Sequence, residues 1–105
     1  MPRKSVFTLA DVNALTLRAA EVQELLAKRR HSKFKSVAMQ SDKQLKTITQ
    51  YVRILDRATR EVLNVGDDVS IDDLFKQFPS DTVLAGPRIA TLYRGLYTTL
   101  RKIPR

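Results

Sequence analysis

The chain has 105 residues, with 19 Lys or Arg against 11 Asp or Glu, a formal net charge of +8 and no cysteine. That length supports one modest hydrophobic core and not two. The lack of cysteine excludes a disulfide framework and a thiolate metal site, and no apolar run reaches the roughly 18–20 residues that span a bilayer.

Residues 1–7 carry Arg3 and Lys4 but lack the apolar core of a signal peptide, and Asp11 and Glu21 argue against a mitochondrial presequence. An intracellular, soluble protein is therefore expected. Thr8 followed by Asp11 has capping-box spacing, and Phe7 and Val12 occupy the two positions of a hydrophobic staple. Val12, Leu15, Ala19, Val22 and Leu26 then step by three and four, an apolar seam that predicts a helix over about 8–31. Leu25 widens the seam, and Leu17 falls opposite it, where it invites a homodimer contact.

The first helix runs into Lys28-Arg29-Arg30-His31-Ser32-Lys33-Phe34-Lys35: five cations among eight residues, with no acid between them. Beyond that run, Ser41 with Gln44 again has capping-box spacing. Leu45, Ile48, Val52, Leu55, Thr59 and Val62 repeat the seam, with Tyr51 and Leu63 beside it, and Gly66 supplies a left-handed closing residue. Two long helices with matching seams and a link of about ten residues fold back as an antiparallel hairpin over about 8–65. The basic run then sits at its tip.

Ser70 with Asp73 caps a short helix over about 70–78, which Pro79 ends. Pro87 suits the first position of a C-terminal helix over about 87–103, with Ile89, Leu92, Tyr93, Leu96, Leu100 and Ile103 on its apolar face. Gly95 inside it costs about 1 kcal/mol relative to Ala, which close helix contact offsets, so it marks a crossing point. No stretch alternates convincingly as a strand. The expected architecture is all-α, a single helical domain over residues 1–105.

Charge is clustered. Residues 1–60 carry 13 Lys or Arg and 5 acids, residues 61–82 one Lys and 6 acids, and residues 83–105 five cations and no acid: net +8, −5 and +5. Such clustering repels itself and is best relieved by a polyanion. At the tip, Arg29 and Arg30 suit bidentate phosphate contacts, and Lys28, Lys33 and Lys35 act as point charges. Phe34 either stacks on a base or tucks beneath the hairpin. On the second helix Lys43, Lys46, Arg53, Arg57 and Arg60 form a stripe roughly opposite the seam, about 25 Å long at 1.5 Å per residue. Its bland reading is a solvated face, with Arg57 and Glu61 forming an ion pair.

Near the C-terminus Arg88, Arg94, Arg101, Lys102 and Arg105 form another basic set. A helix-turn-helix reading would have Thr91 and Arg94 face bases, although the connection to the preceding helix is long for that motif. Solvated arginines beside core-packed tyrosines are the plainer account. His31 has no partner that would make it a ligand or proton shuttle. Arg29-Arg30-His31-Ser32 has the spacing of a basophilic kinase site, a motif common by chance. The Asp67-Asp68 and Asp72-Asp73 pairs are explained by a turn and a helix N-terminus rather than a metal.

Catalysis finds no support in a chain with one histidine, no cysteine and three isolated glycines, and neither a cofactor nor a small-molecule substrate is implied. The expectation is a basic protein that binds RNA or DNA largely through the phosphate backbone, duplex ahead of single strand, in a coating, masking, architectural or regulatory role. The rival is a helical interaction module that docks an acidic protein. Attachment to anionic membranes ranks last, because the seams are needed for the core.

Overall fold

A computed structural model describes residues 6–103. Its order is β1 (Phe7–Thr8), α1 (Leu9–Arg29), α2 (Lys35–Leu63), α3 (Ile71–Gln77), β2 (Val83–Leu84) and α4 (Pro87–Arg101). The fold is all-α, with a small strand pair. α1 and α4 both pack on α2 and also touch each other. The molecule measures 45 × 37 × 18 Å, and its longest dimension matches α2, about 43 Å at 1.5 Å per residue.

α1 starts as its capping box dictates. The Thr8 N–H donates to Asp11 Oδ2 at 2.9 Å, and the Asp11 N–H donates to Thr8 Oγ1 at 3.2 Å. Two further first-turn donors, the N–H groups of Leu9 and Ala10, reach the carbonyls of Thr82 and Ser80, both at 2.9 Å. Those bonds extend the antiparallel β1–β2 pairing, in which Phe7 opposes Leu84 and Thr8 opposes Val83. The strand pair departs from the expectation of no strands. Two residues carry no detectable alternation, and their pairing is fixed by the helix that follows.

The seam of α1 is buried at every expected position, Val12, Leu15, Ala19, Val22 and Leu26. It meets Ile48, Leu55 and Ala58 of α2 and, across the other side, Ile89, Ala90, Leu96 and Leu100 of α4. Val62 leaves the expected seam and is 45% exposed, because in the last turns of α2 burial shifts to Ala58, Thr59 and Arg60.

α2 also begins earlier than expected. It starts at Lys35 rather than Ser41, so the link is residues 30–34 and Ser41 is a buried mid-helix residue. Residues 35–40 contain neither Gly nor Pro, so nothing stops the helix from growing back to Phe34, where an extended backbone begins it. At the other end Asn64, not Gly66, takes the left-handed conformation (φ 58°, ψ 45°) that closes α2. Asn tolerates that region well enough to take the role two residues earlier.

α3 is capped as expected, with Ser70 Oγ accepting the Asp73 N–H at 3.1 Å, and Pro87 occupies the first turn of α4. Gly95 is a crossing point. A Cβ there would stand 2.8 Å from Cε1 of Tyr51 and 2.9 Å from its hydroxyl. Gly95→Ala is therefore expected to destabilise the fold by about 1–2 kcal/mol through overpacking. In a Tyr51→Ala background the same change should instead gain about 1 kcal/mol of helix propensity. Urea midpoints of the four variants of this cycle check both signs.

Candidate nucleic-acid interface

Register fixes where the cations stand. Gln23 Nε2 donates to Thr49 Oγ1 at 3.1 Å, and Arg30 pairs with Asp42 at 3.3 Å. Each step down α1 is thus matched by a step up α2, and the end of α1 lies level with Asp42. The turns from Lys35 to Asp42, about 10 Å of helix, run past it. The link is held by its own hydrogen bonds: the Ser32 N–H donates to the Arg29 carbonyl at 3.0 Å, and the Phe34 N–H to Ser32 Oγ at 3.2 Å.

Lys28, Arg30, His31, Lys33, Phe34 and Lys35 are exposed at this tip, and Arg29 is half-buried. Phe34 does not tuck beneath the hairpin; its side chain is left 72% exposed. The N-terminus of α2 has neither a side-chain cap nor an acid in its first turn. Its free N–H groups and the positive end of its dipole face the same side chains, offset by the negative C-terminal end of α1 at the same tip.

Lys35, Lys43, Lys46, Arg53 and Arg57 are all exposed on α2. At 100° per residue they share one outward row, about 33 Å long. Met39, 64% exposed, falls in the same row. Asp42 accepts from Lys46 at 3.1 Å as well as from Arg30, and Glu61 takes Arg57 at 3.7 Å and Arg88 at 3.2 Å. Exposed pairs of this kind are worth about 0–1 kcal/mol and yield readily to a competing anion. Lys28, Arg29, Lys33, Lys35, Lys43 and Arg53 make no ion pair among the described residues.

Arg60 must be removed from the interface. It is 7% exposed. Its Nε donates to Asp56 Oδ2 at 3.1 Å, and its Nη1 donates to the carbonyls of Gly66, at 2.9 Å, and Val69. The chain leaving α2 folds back over this side and leaves two carbonyls to be satisfied, which the guanidinium does. Asp56 four residues upstream and the turn just downstream were the available signals. Arg60→Gln is accordingly expected to lower stability by about 2 kcal/mol, the cost of charged hydrogen bonds lost in a buried setting. Arg53→Gln should leave it within about 0.5 kcal/mol. Thermal unfolding of the two variants separates the structural arginine from the surface one.

The other candidate positions are not brought to the tip. Gly95 packs on Tyr51, about 24 Å along α2 from Lys35; Thr91 and Arg94 lie in that neighbourhood. Thr91 is exposed, whereas Arg94 is half-buried and is not a free cation. Among the described residues the short turn of a helix-turn-helix is not found between α3 and α4. Residues 78–86 separate α3 from α4 and include β2, where that motif needs a turn of three or four residues. Arg105 lies outside the described residues. Among the described residues no cluster of His, Asp or Glu is placed to hold a metal ion, and no helix is long and apolar enough to cross a membrane.

One grouping escaped the sequence. Tyr51, Tyr93 and Tyr97 line a single open concavity of about 730 Å³ between α2 and α4, together with Phe7, Arg94 and Lys102. Tyr93 and Tyr97 sit one turn apart on α4, but nothing in the spacing ties Tyr51 to them.

Comparison of the chain with protein-family models, with curated proteins and with solved structures returns no match. The class that fold and surface define is an all-α protein built on a long helical hairpin, with clustered cations at one end.

Proposed function

We propose that this protein binds nucleic acid through the phosphate backbone, using the hairpin tip and the outward row of α2. The observation that carries the reading is the set of six cations at tip and row without a carboxylate partner among the described residues, four of them in a stretch with no acid between Glu24 and Asp42. Uncompensated charge of this density costs self-repulsion that a polyanion relieves well. A straight row about 33 Å long suits the regular phosphate spacing of a duplex better than a flexible single strand. The role this supports is sequence-independent coating, masking or architectural binding.

A second reading keeps a specific observation on its side. Phe34 and Met39 are large apolar groups exposed among the cations, which an acidic protein segment with an apolar face would also satisfy.

Random-sequence duplex RNA and DNA should both bind, with log K falling against log salt at a slope of up to about 5 if six phosphates are neutralised. Replacing Lys28, Arg29, Lys33 and Lys35 together by Gln should weaken duplex binding at least tenfold and about equally for all sequences, with unfolding unchanged. Gel shift or fluorescence anisotropy across a salt series reads both. Negligible duplex affinity at about 150 mM salt, with an acidic protein partner recovered through the same residues, would hand the surface to the second reading.

A further inference from the structure

All three tyrosines of the chain converge on one cleft, Tyr51 from α2 and Tyr93 and Tyr97 from α4. Its volume, about 730 Å³, falls within the roughly 300–1,000 Å³ of small-molecule sites. The aromatic wall is graded from floor to rim. Phe7 is buried and stacks on Tyr93 with ring centroids 4.1 Å apart and planes 24° from parallel. Tyr93 and Tyr51 are half-buried, and Tyr97 is 42% exposed. Gly95 makes the site possible, because the Tyr51 ring occupies the space any side chain there would need.

Aromatic rings gathered against a core are ordinary packing. Here the wall reaches solvent through Tyr97, with Tyr51 and Tyr93 half-buried behind it. Lys102 is exposed at the edge, Arg94 lies alongside, and no Asp or Glu is among the lining residues. Ring faces alone would also attract a cation, but among the described residues that line the cleft a cation meets a lysine and no carboxylate. A flat aromatic group carrying negative charge satisfies both features.

We infer that this cleft is a nucleotide site: the base lies against the tyrosine rings, and the phosphate is met by Lys102. The same chemistry is offered by a free mononucleotide and by an unpaired nucleotide of a strand. The site is distinct from the tip and row and does not rest on their proposed role.

The four phenylalanines and three tyrosines are the only benzenoid rings in this tryptophan-free chain, so tyrosine ring protons in a one-dimensional NMR titration report on the cleft directly. The full chain is titrated with uridine monophosphate, uridine, ribose 5-phosphate and a short oligouridine. Saturable shifts of the tyrosine signals are expected with the nucleotide or the oligonucleotide. Affinity should be at least fivefold weaker for uridine and for ribose phosphate. Tyr97→Ala, at an exposed position, should weaken nucleotide binding about fivefold or more, the loss of one stacking contact. Lys102→Gln should weaken the nucleotide but leave uridine unchanged. Saturation by the mononucleotide identifies a small-molecule ligand; saturation by the oligonucleotide alone identifies a strand. Unmoved tyrosine signals with both, ribose phosphate binding as well as the nucleotide, or an unaffected Tyr97→Ala variant would each overturn the assignment. The quadruple Gln variant of the tip should retain the tyrosine shifts even if all duplex affinity is lost, so failure of the one reading cannot pass for failure of the other.

Discussion

The apolar contact between α1 and α2 gives the cations a defined arrangement. Ala19 and Leu26 of α1 and Ile48 of α2 are wholly buried, and truncating Leu26 or Ile48 would cost about 2–5 kcal/mol. Because that contact is tight, its register is unambiguous, and Gln23 with Thr49 and Arg30 with Asp42 report the same alignment at two levels. The alignment decides that α2 outruns α1 and that the link must turn around its projecting end. Lys28, Arg29, Lys33 and Lys35 are thereby drawn from a linear run into a knot of charge around one helix terminus.

Much of this was legible in the chain. The seam of α1 and both caps with strong local chemistry, Thr8 with Asp11 and Ser70 with Asp73, were readable because each depends on residues within one turn. Ser41 with Gln44 had the same local signature, yet it lies inside α2, since a helix already favourable at Lys35 has no reason to restart. Gly66 was a reasonable terminator that Asn64 forestalled. The β1–β2 pair and the tyrosine cleft were beyond reach, because both depend on residues far apart in the chain.

Arginine shows the same limit within one helix. Arg53, Arg57 and Arg60 share a side-chain type, a helix and a roughly common face, but differ entirely in circumstance. Arg53 is exposed without an ion pair, Arg57 is exposed and loosely paired, and Arg60 is buried against Asp56 and two carbonyls. The path of the chain after Asn64, together with Asp56, sets Arg60 apart from the other two. A basic stripe read from periodicity therefore overstates its length by the residues that the next loop recruits.

The direction of α2 has a further effect. Its N-terminus, positive by its dipole, lies within the basic tip, and its C-terminus leads into Asp67, Asp68, Asp72 and Asp73, all exposed. Along α2 alone, backbone and side chains polarise in the same sense, the reverse of the usual arrangement that stabilises helix ends, whereas α1 ends at the tip with Lys28 and Arg29 in its last turn, the usual arrangement. The side chains of α4 add to this separation: with Arg88 level with Glu61 and Gly95 against Tyr51, the helix runs antiparallel to α2 and carries Arg101 and Lys102 back toward the positive end, while its own dipole opposes that of α2. The basic tip and the acidic stretch after α2 thus stand at opposite ends of one helix, a separation of side-chain charge that biases orientation in an external field.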